Sequence, residues 1–205
     1  MQVVLIAHTP DALRVAFSAI RTCYSSSDFA DIWETEYEKY KTNNDDHLRL
    51  VKQIVSHGHT STLEHITFTF SITGISRACL AQLTRHRIAS YSVRSQRYTK
   101  LDGVVDCSVS GEPEYIQALE VVQKAYKDLL AKGFKAEDAR MVLPQSGATN
   151  LVMTINLRSF MNMYKVRHLG THAQAEIGQL VEAMKNCIIG EEPWTESLFE
   201  VKNEH

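Results

Sequence analysis

The sequence predicts an α+β fold, with a mainly antiparallel sheet flanked by helices in a single domain over residues 1–205. Residues 66–72, Ile-Thr-Phe-Thr-Phe-Ser-Ile, alternate apolar and hydroxyl side chains, which is the period of a half-buried antiparallel strand. Several longer stretches repeat apolar residues every three or four positions, the period of amphipathic helices. Strand-like and helix-like segments are mixed without the regular alternation of a βαβ chain. No Gly-x-Gly occurs, which excludes the Rossmann fingerprint and the Walker loop.

Gln2–His8 is rich in β-branched residues and reads as the first strand, with Thr9 as N-cap and Pro10 as first residue of the helix that follows. Leu13, Phe17 and Ile20 give that helix an apolar stripe as far as Arg21, and residues 25–28 read as a loop. Residues 29–45 are rich in Tyr, Glu, Lys and Asn without clean periodicity, and read as a mobile excursion. A helix resumes near Asp46, with Leu48, Val51, Ile54 and Val55 on its buried side. After the strand at 66–72, Ile75, Cys79 and Leu83 recur at helical spacing, which places Gln82 and Arg85 together on another face of that helix. Residues 112–131 and 136–142 read as helical, and Leu151–Ile155 as a strand entering Asn156. Thr171 to Gln174 resembles a capping box opening a last helix through Ile177, Val181, Met184 and Ile188.

With 44% apolar and 22% charged residues, the chain has the mix of one compact domain with a real core. Cys23, Cys79, Cys107 and Cys187 are widely spaced with no Cys-x-x-Cys pair, the pattern of reduced, buried thiols in a cytoplasmic protein. The apolar start is too short for a signal peptide and lacks a basic opening. No run approaches the length of a membrane span.

The formal net charge is −2 and the pI about 6.5, which argues against a nucleic-acid coat. Positive charge is focused instead: five of the eleven arginines (Arg77, Arg85, Arg87, Arg94, Arg97) lie within 21 positions. They alternate with Ser90, Ser92 and Ser95. Fixed cations at this density repel one another unless an anion offsets them, and guanidinium forks beside hydroxyls suit phosphate or carboxylate oxygens. A helix end would favour Arg85, His86 and Arg87 by about 0.3–1 kcal/mol each. Arg94, Ser95 and Arg97 lie beyond any such end.

Arg85-His86-Arg87, seven residues and Ser95 form a spacing that resembles the signature of the flavin-dependent thymidylate synthases. His59-Thr-Ser61-Thr-Leu-Glu64-His65 is similar to the family's His-x-Ser-Pro-x-Glu-His, with Thr62 in place of proline. Arg140-Met-Val-Leu-Pro, then Asn156-Leu157-Arg158-Ser-Phe-Met-Asn162 and Arg167, resembles its C-terminal half. The likeness is strong over residues 57–98 and 139–176. It implies FAD as cofactor, held by His59, Ser61, Arg85, His86, Arg87, Val93, Asn156, Leu157, Arg158 and Asn162. It implies dUMP as substrate, held by Gln82, Leu83, Thr84, Arg85, Val93, Arg94, Ser95, Gln96, Arg97, Arg140 and Arg167. The implied reaction is reductive methylation of dUMP to dTMP in dTTP biosynthesis, with 5,10-methylenetetrahydrofolate as carbon donor and NADPH as reductant. The implied assembly is a homotetramer with sites shared between subunits, without metal, nucleic acid or membrane. One departure stands out: Ser92-Val93 occupies the place where many members carry Asn-Glu, so a carboxylate is absent there.

Given that reaction, the expected catalytic residue is Arg167, whose guanidinium against the uracil would stabilise charge developing on a ring nitrogen and carbonyl. Ser95 has no base beside it in sequence, and an unactivated serine is a weak nucleophile, so it is expected to orient substrate with Arg97 in an extended segment. Arg158 and Asn162, four apart, share a helix face, whereas Asn162 and Arg167, five apart, do not. Without the resemblance, Asn162 reads equally as cap or ligand, and Glu64 with His65 equally as a buried structural pair. Two other readings stay open. In one, His57, His59, Glu64 and His65, with His172 and Glu176, ligate a hydrolytic metal. In the other, Arg85 to Arg97 bind single-stranded nucleic acid, with Tyr91 and Tyr98 as stacking platforms.

Overall fold

A computed structural model describes residues 1–40, 44–99 and 103–200. In chain order the elements are β1 (Gln2–His8), α1 (Ala12–Tyr24), α2 (Phe29–Asp31), a π-helical turn (Ile32–Glu36), α3 (Tyr37–Tyr40) and α4 (Asn44–Ser56). A 3-10 turn (Ser61–His65) leads into β2 (Thr67–Ser76), α5 (Arg77–Leu83) and β3 (Ala89–Val93). Then come α6 (Pro113–Ala131), α7 (Ala136–Ala139), a 3-10 turn (Arg140–Val142), β4 (Ala148–Asn156), α8 (Leu157–Arg167), α9 (Ala175–Glu191) and a 3-10 turn (Pro193–Leu198). The strands form one antiparallel sheet in the order β1-β2-β4-β3. The α+β expectation therefore holds, with β3 as an unforeseen strand.

The chain divides into two compact units, neither contiguous in sequence. One comprises Met1–Gln2, Ser71–Arg85 and Tyr91–Val152; the other comprises Val3–Phe70, His86–Ser90 and Met153–His205. Ile72, Ile75, Cys79, Leu83 and Leu151 are buried in the first. The second has the larger core: Phe17 and Ile20 from α1, Phe68 and Phe70 from β2, Phe160 and Met163 from α8, and Ile177, Val181, Met184 and Ile188 from α9. Along β2, Phe68, Phe70 and Ile72 are buried while the intervening hydroxyl residues are not, which is the alternation read from the sequence.

Residues 29–40 are helical where an irregular, mobile excursion was expected; residues 41–43, also in that stretch, lie outside the described residues. The five-residue π turn breaks the helical period that would have revealed the segment. It is tied down by ring and ionic contacts. The Arg14 guanidinium lies 4.2 Å from the Trp33 ring centroid, Arg21 pairs with Glu36 at 2.7 Å, and the Phe17 ring meets those of Tyr37 and His47 edge-on. The buried His47 Nε2 lies 2.9 Å from the Tyr37 carbonyl.

Three helix starts differ from expectation. Thr9 does not cap α1, because its hydroxyl accepts the Thr67 N–H at 2.9 Å across the sheet; the N-cap is Asp11, with φ at 48°. Ile75 belongs to β2, and α5 starts after Ser76, whose Oγ accepts the Cys79 N–H. Thr171 does not open α9, because its hydroxyl closes a local turn with His168 and Ala173; the helix begins at Ala175. The cysteines are free, but Cys23 and Cys107 are exposed where buried thiols were expected.

Replacing Phe17 with alanine is expected to cost about 3–5 kcal/mol. Val121→Ala on exposed α6 should stay within about 0.5 kcal/mol. Denaturant unfolding of both variants checks the contrast.

Candidate functional site

The residues expected around a nucleotide lie mostly in the first unit. Helix α5 ends at Leu83 and Arg85 follows in a turn, so Gln82 and Arg85 do not share a helix face as expected. Leu83 is buried, and its carbonyl accepts the Tyr91 hydroxyl at 3.0 Å. The Thr84 hydroxyl donates to the Leu80 carbonyl. Val93 closes β3, and Ser95 begins a turn, not the extended segment expected: its Oγ accepts the Arg97 N–H at 3.1 Å and its carbonyl accepts from Thr99. Among the described residues the Ser95 hydroxyl makes no further hydrogen bond, and Gln96 and Arg97 follow in the same turn. Arg97 pairs with Glu137, and the Nε of Arg140 donates to the Glu137 carbonyl at 3.1 Å. Glu137 thus gathers two of the expected phosphate ligands.

Burial pushes the Tyr91 phenol up to about 12, and its proton is engaged with Leu83. That removes Tyr91 as an open stacking platform. Tyr98 is exposed, with the Arg97 guanidinium over its ring.

The residues expected around a flavin lie mostly in the second unit. Asn156 caps α8, its side-chain oxygen accepting the Ser159 N–H at 2.8 Å. Leu157 is fully buried, leaving only its backbone to a ligand, and its N–H is already given to the Ile66 carbonyl. Asn162 is exposed in the interior of α8, so it is not a cap. Arg158 forms an ion pair with Glu64. Glu64 and His65 are exposed, which corrects the reading of a buried pair. At the end of α8, the Arg167 Nε donates to the His86 Nε2 at 3.4 Å, which requires the proton of a neutral His86 ring to sit on Nδ1. Arg85 and Arg87 are exposed and pair with no acid among the described residues. Among the described residues no three His, Cys, Asp or Glu side chains converge to hold a metal ion.

Ser61 and His65 line a cavity of about 490 Å³. Its other walls are Val15, Ser18, Ala19, Thr22 and Cys23 from α1, with Thr62, Phe29 and Trp33. The hydroxyls of Ser18 and Thr62 are buried without a partner, which costs about 1–3 kcal/mol each unless a ligand satisfies them. His59 is exposed and outside these walls.

A family model described as thymidylate synthase complementing protein matches residues 4–194. The flavin-dependent thymidylate synthase of Geobacter sulfurreducens is 39% identical over 202 residues, covering 94% of this chain and 84% of the relative. The chain belongs to the flavin-dependent thymidylate synthase family. The enzyme of Nitratidesulfovibrio vulgaris is 37% identical, covering 89% of this chain and 80% of the relative. Thymidylate synthase X of Helicobacter pylori, solved with FAD and dUMP, superposes with a TM-score of 0.78 at 29% identity, over 98% of this chain and all of that one.

Within this family member, sequence reasoning missed the α1 wall of the cavity, Glu137 and the Arg158–Glu64 pair. The first had a signal: Val15, Ser18, Ala19, Thr22 and Cys23 recur at helical spacing opposite the Ala16, Phe17 and Ile20 stripe. The others join distant segments and had none.

Because Tyr91 stays protonated in the folded chain above the pH where a free tyrosine ionises, its stabilising share is whole below about 10 and is lost as pH rises through about 12. Tyr91→Phe should abolish that part of the alkaline destabilisation. Melting curves across this window, with and without the substitution, check it.

Proposed function

We propose that this protein is an FAD-dependent thymidylate synthase that methylates dUMP to dTMP, with 5,10-methylenetetrahydrofolate as carbon donor and NADPH as reductant. The observation that carries the reading is the family match over residues 4–194, which also supports one domain over the chain. Family relatives are named flavin-dependent thymidylate synthases, and the Helicobacter pylori structure contains FAD and dUMP.

The residues present fit a flavin dinucleotide. The cavity at Ser61 offers aromatic walls and two buried hydroxyls in need of partners, and Arg85 and Arg87 offer cations to a pyrophosphate. His59, Ser61, Arg85, His86, Arg87, Asn156, Arg158 and Asn162 would hold it, with Val93 and Leu157 contributing backbone. Bound flavin would supply the hydride that no side chain can.

The chain's own residues do the rest. Ser95, Arg97 and Arg140 bind the nucleotide phosphate, the Ser95 hydroxyl donating its free proton while its oxygen accepts from Arg97. Gln82, Thr84, Arg94 and Gln96 line the nucleotide. Arg167 stabilises charge on the uracil, and the neutral His86 ring, by accepting from its Nε, leaves the two terminal nitrogens of the guanidinium to face the base. Ser95 orients substrate and forms no covalent adduct.

The enzyme would act in the cytoplasm; among the described residues no helix is long and apolar enough to cross a membrane. It would be a homotetramer with sites shared between subunits; the expected split, Ser95 and Arg97 from one subunit and Arg140 with Arg167 from another, is revised for Arg140, which Glu137 joins to Arg97 within one chain, so that Arg167 is what a second subunit would bring.

Purified protein is expected to be yellow from noncovalent FAD; a colourless protein that fails to bind added FAD refutes the reading. Arg167→Lys keeps the charge but loses the planar fork, and should cost turnover on the order of 3 kcal/mol while melting temperature barely moves. Near-normal turnover would remove Arg167 from the mechanism. Mixing Arg97→Ala chains with Arg167→Ala chains after unfolding should restore roughly a quarter of sites if sites are shared. Mixed oligomers without activity would place each site within one chain.

A further inference from the structure

Arg77 belongs to the arginine-rich stretch but has no role in the reading above, and its surroundings are unusual for a guanidinium. It is the first residue of α5, behind the Ser76 cap, and its backbone N–H is given to the Gly147 carbonyl at 3.1 Å. The side chain reaches the segment that leaves β3, where Nη2 donates to the Arg94 carbonyl at 3.0 Å. The N–H of Arg94 is given to the Asn150 carbonyl at 2.9 Å, so Arg94 is gripped on both sides immediately before Ser95.

The charge of Arg77 is poorly compensated. Its Nε is buried without a partner, and among the described residues neither Arg77 nor Arg140 pairs with an acid. Burial, and after it the nearby charge of Arg140, disfavours the charged form of Arg77. A half-buried cation facing a second cation is destabilising on its own. It becomes favourable when an anion arrives between or beside the two, and Arg140, Ser95 and Arg97 are the residues assigned above to the nucleotide phosphate.

We propose that Arg77 is a positioning residue of the nucleotide site: it holds the Arg94 carbonyl so that the Ser95–Arg97 turn keeps its shape, and with Arg140 it supplies positive potential that the phosphate neutralises. This rests on the reading of the chain as a dUMP-binding enzyme. Arg77 acts on the phosphate end of the substrate, and so on binding more than on chemistry.

The test compares holoenzyme carrying Arg77→Met or Arg77→Lys with wild type, measuring KM and Kd for dUMP, kcat, flavin absorbance, and competition by deoxyuridine, which lacks the phosphate. Arg77→Met should raise KM and Kd for dUMP about tenfold, as loss of a charge-assisted contact does. It should leave kcat within about threefold, flavin content unchanged and deoxyuridine affinity within about twofold of wild type. Arg77→Lys, which keeps charge but not the fork, should fall between; if the Met variant does not fold, this variant carries the comparison. The proposal is overturned if dUMP and deoxyuridine affinities fall together, if flavin is lost in parallel, or if dUMP affinity is unchanged. Wild-type protein that binds flavin but no dUMP would instead sink the functional reading and this role with it.

Discussion

The backbone N–H of Leu157 is given to the carbonyl of Ile66 at 2.8 Å, and much of the second unit follows from that bond. It joins the start of α8 to the entry of β2, at the point where β4 turns into helix under the Asn156 cap. The first turn of α8 is therefore fixed against the Ser61–His65 turn, which brings Arg158 to Glu64. Ten residues after Leu157 the same rigid rod delivers Arg167 to His86. Behind it, Phe160 and Met163 are fully buried, so the rod cannot rotate without opening the core.

Arginine in this protein is used in two electrostatic states. Arg14, Arg21 and Arg158 are matched by carboxylates or aromatic faces within their own unit, and for Arg14 and Arg21 that work is structural. Arg77, Arg85, Arg87 and Arg140 have no acid partner among the described residues. Surface ion pairs are worth little, so adding acids would have gained little stability and would have competed with an incoming anion. Left unmatched by acids, these four keep positive potential uncancelled where the proposed reading places anionic ligands.

The sheet and the long helices were legible in the sequence because burial on one face imposes a period on the residues that carry it: Phe68, Phe70 and Ile72 in β2, and Ile177, Val181, Met184 and Ile188 in α9. Strand β3 was not, although Ala-Ser-Tyr-Ser-Val alternates apolar and hydroxyl side chains, since it is only five residues long, lies inside the arginine-rich stretch, and is placed by pairing with β4 far along the chain. Thr9 and Thr171 have the side chains of helix caps, but a threonine hydroxyl is equally satisfied across a sheet or within a turn, and only the fold decides. The focusing of positive charge between Arg77 and Arg97 was legible as charge density, whereas the proposed flavin and nucleotide assignments rest on resemblance. The contact between Arg167 and His86 joins residues 81 positions apart and leaves no local pattern.

The π turn at Ile32–Glu36 has a consequence for how this segment tolerates change in length. Such a turn closes around one residue more than an α turn, so it behaves as a single-residue insertion absorbed without breaking the rod. Removing that residue would restore the α period but rotate whatever precedes it by about 100°. Phe29, Trp33 and the α1 face that share the cavity would then lose their alignment, although every other element could stay in place. The extra residue acts as a gear tooth: it sets the phase of an aromatic wall relative to a helix, so this short stretch is sensitive to its length as well as to the side chains that pair it with α1.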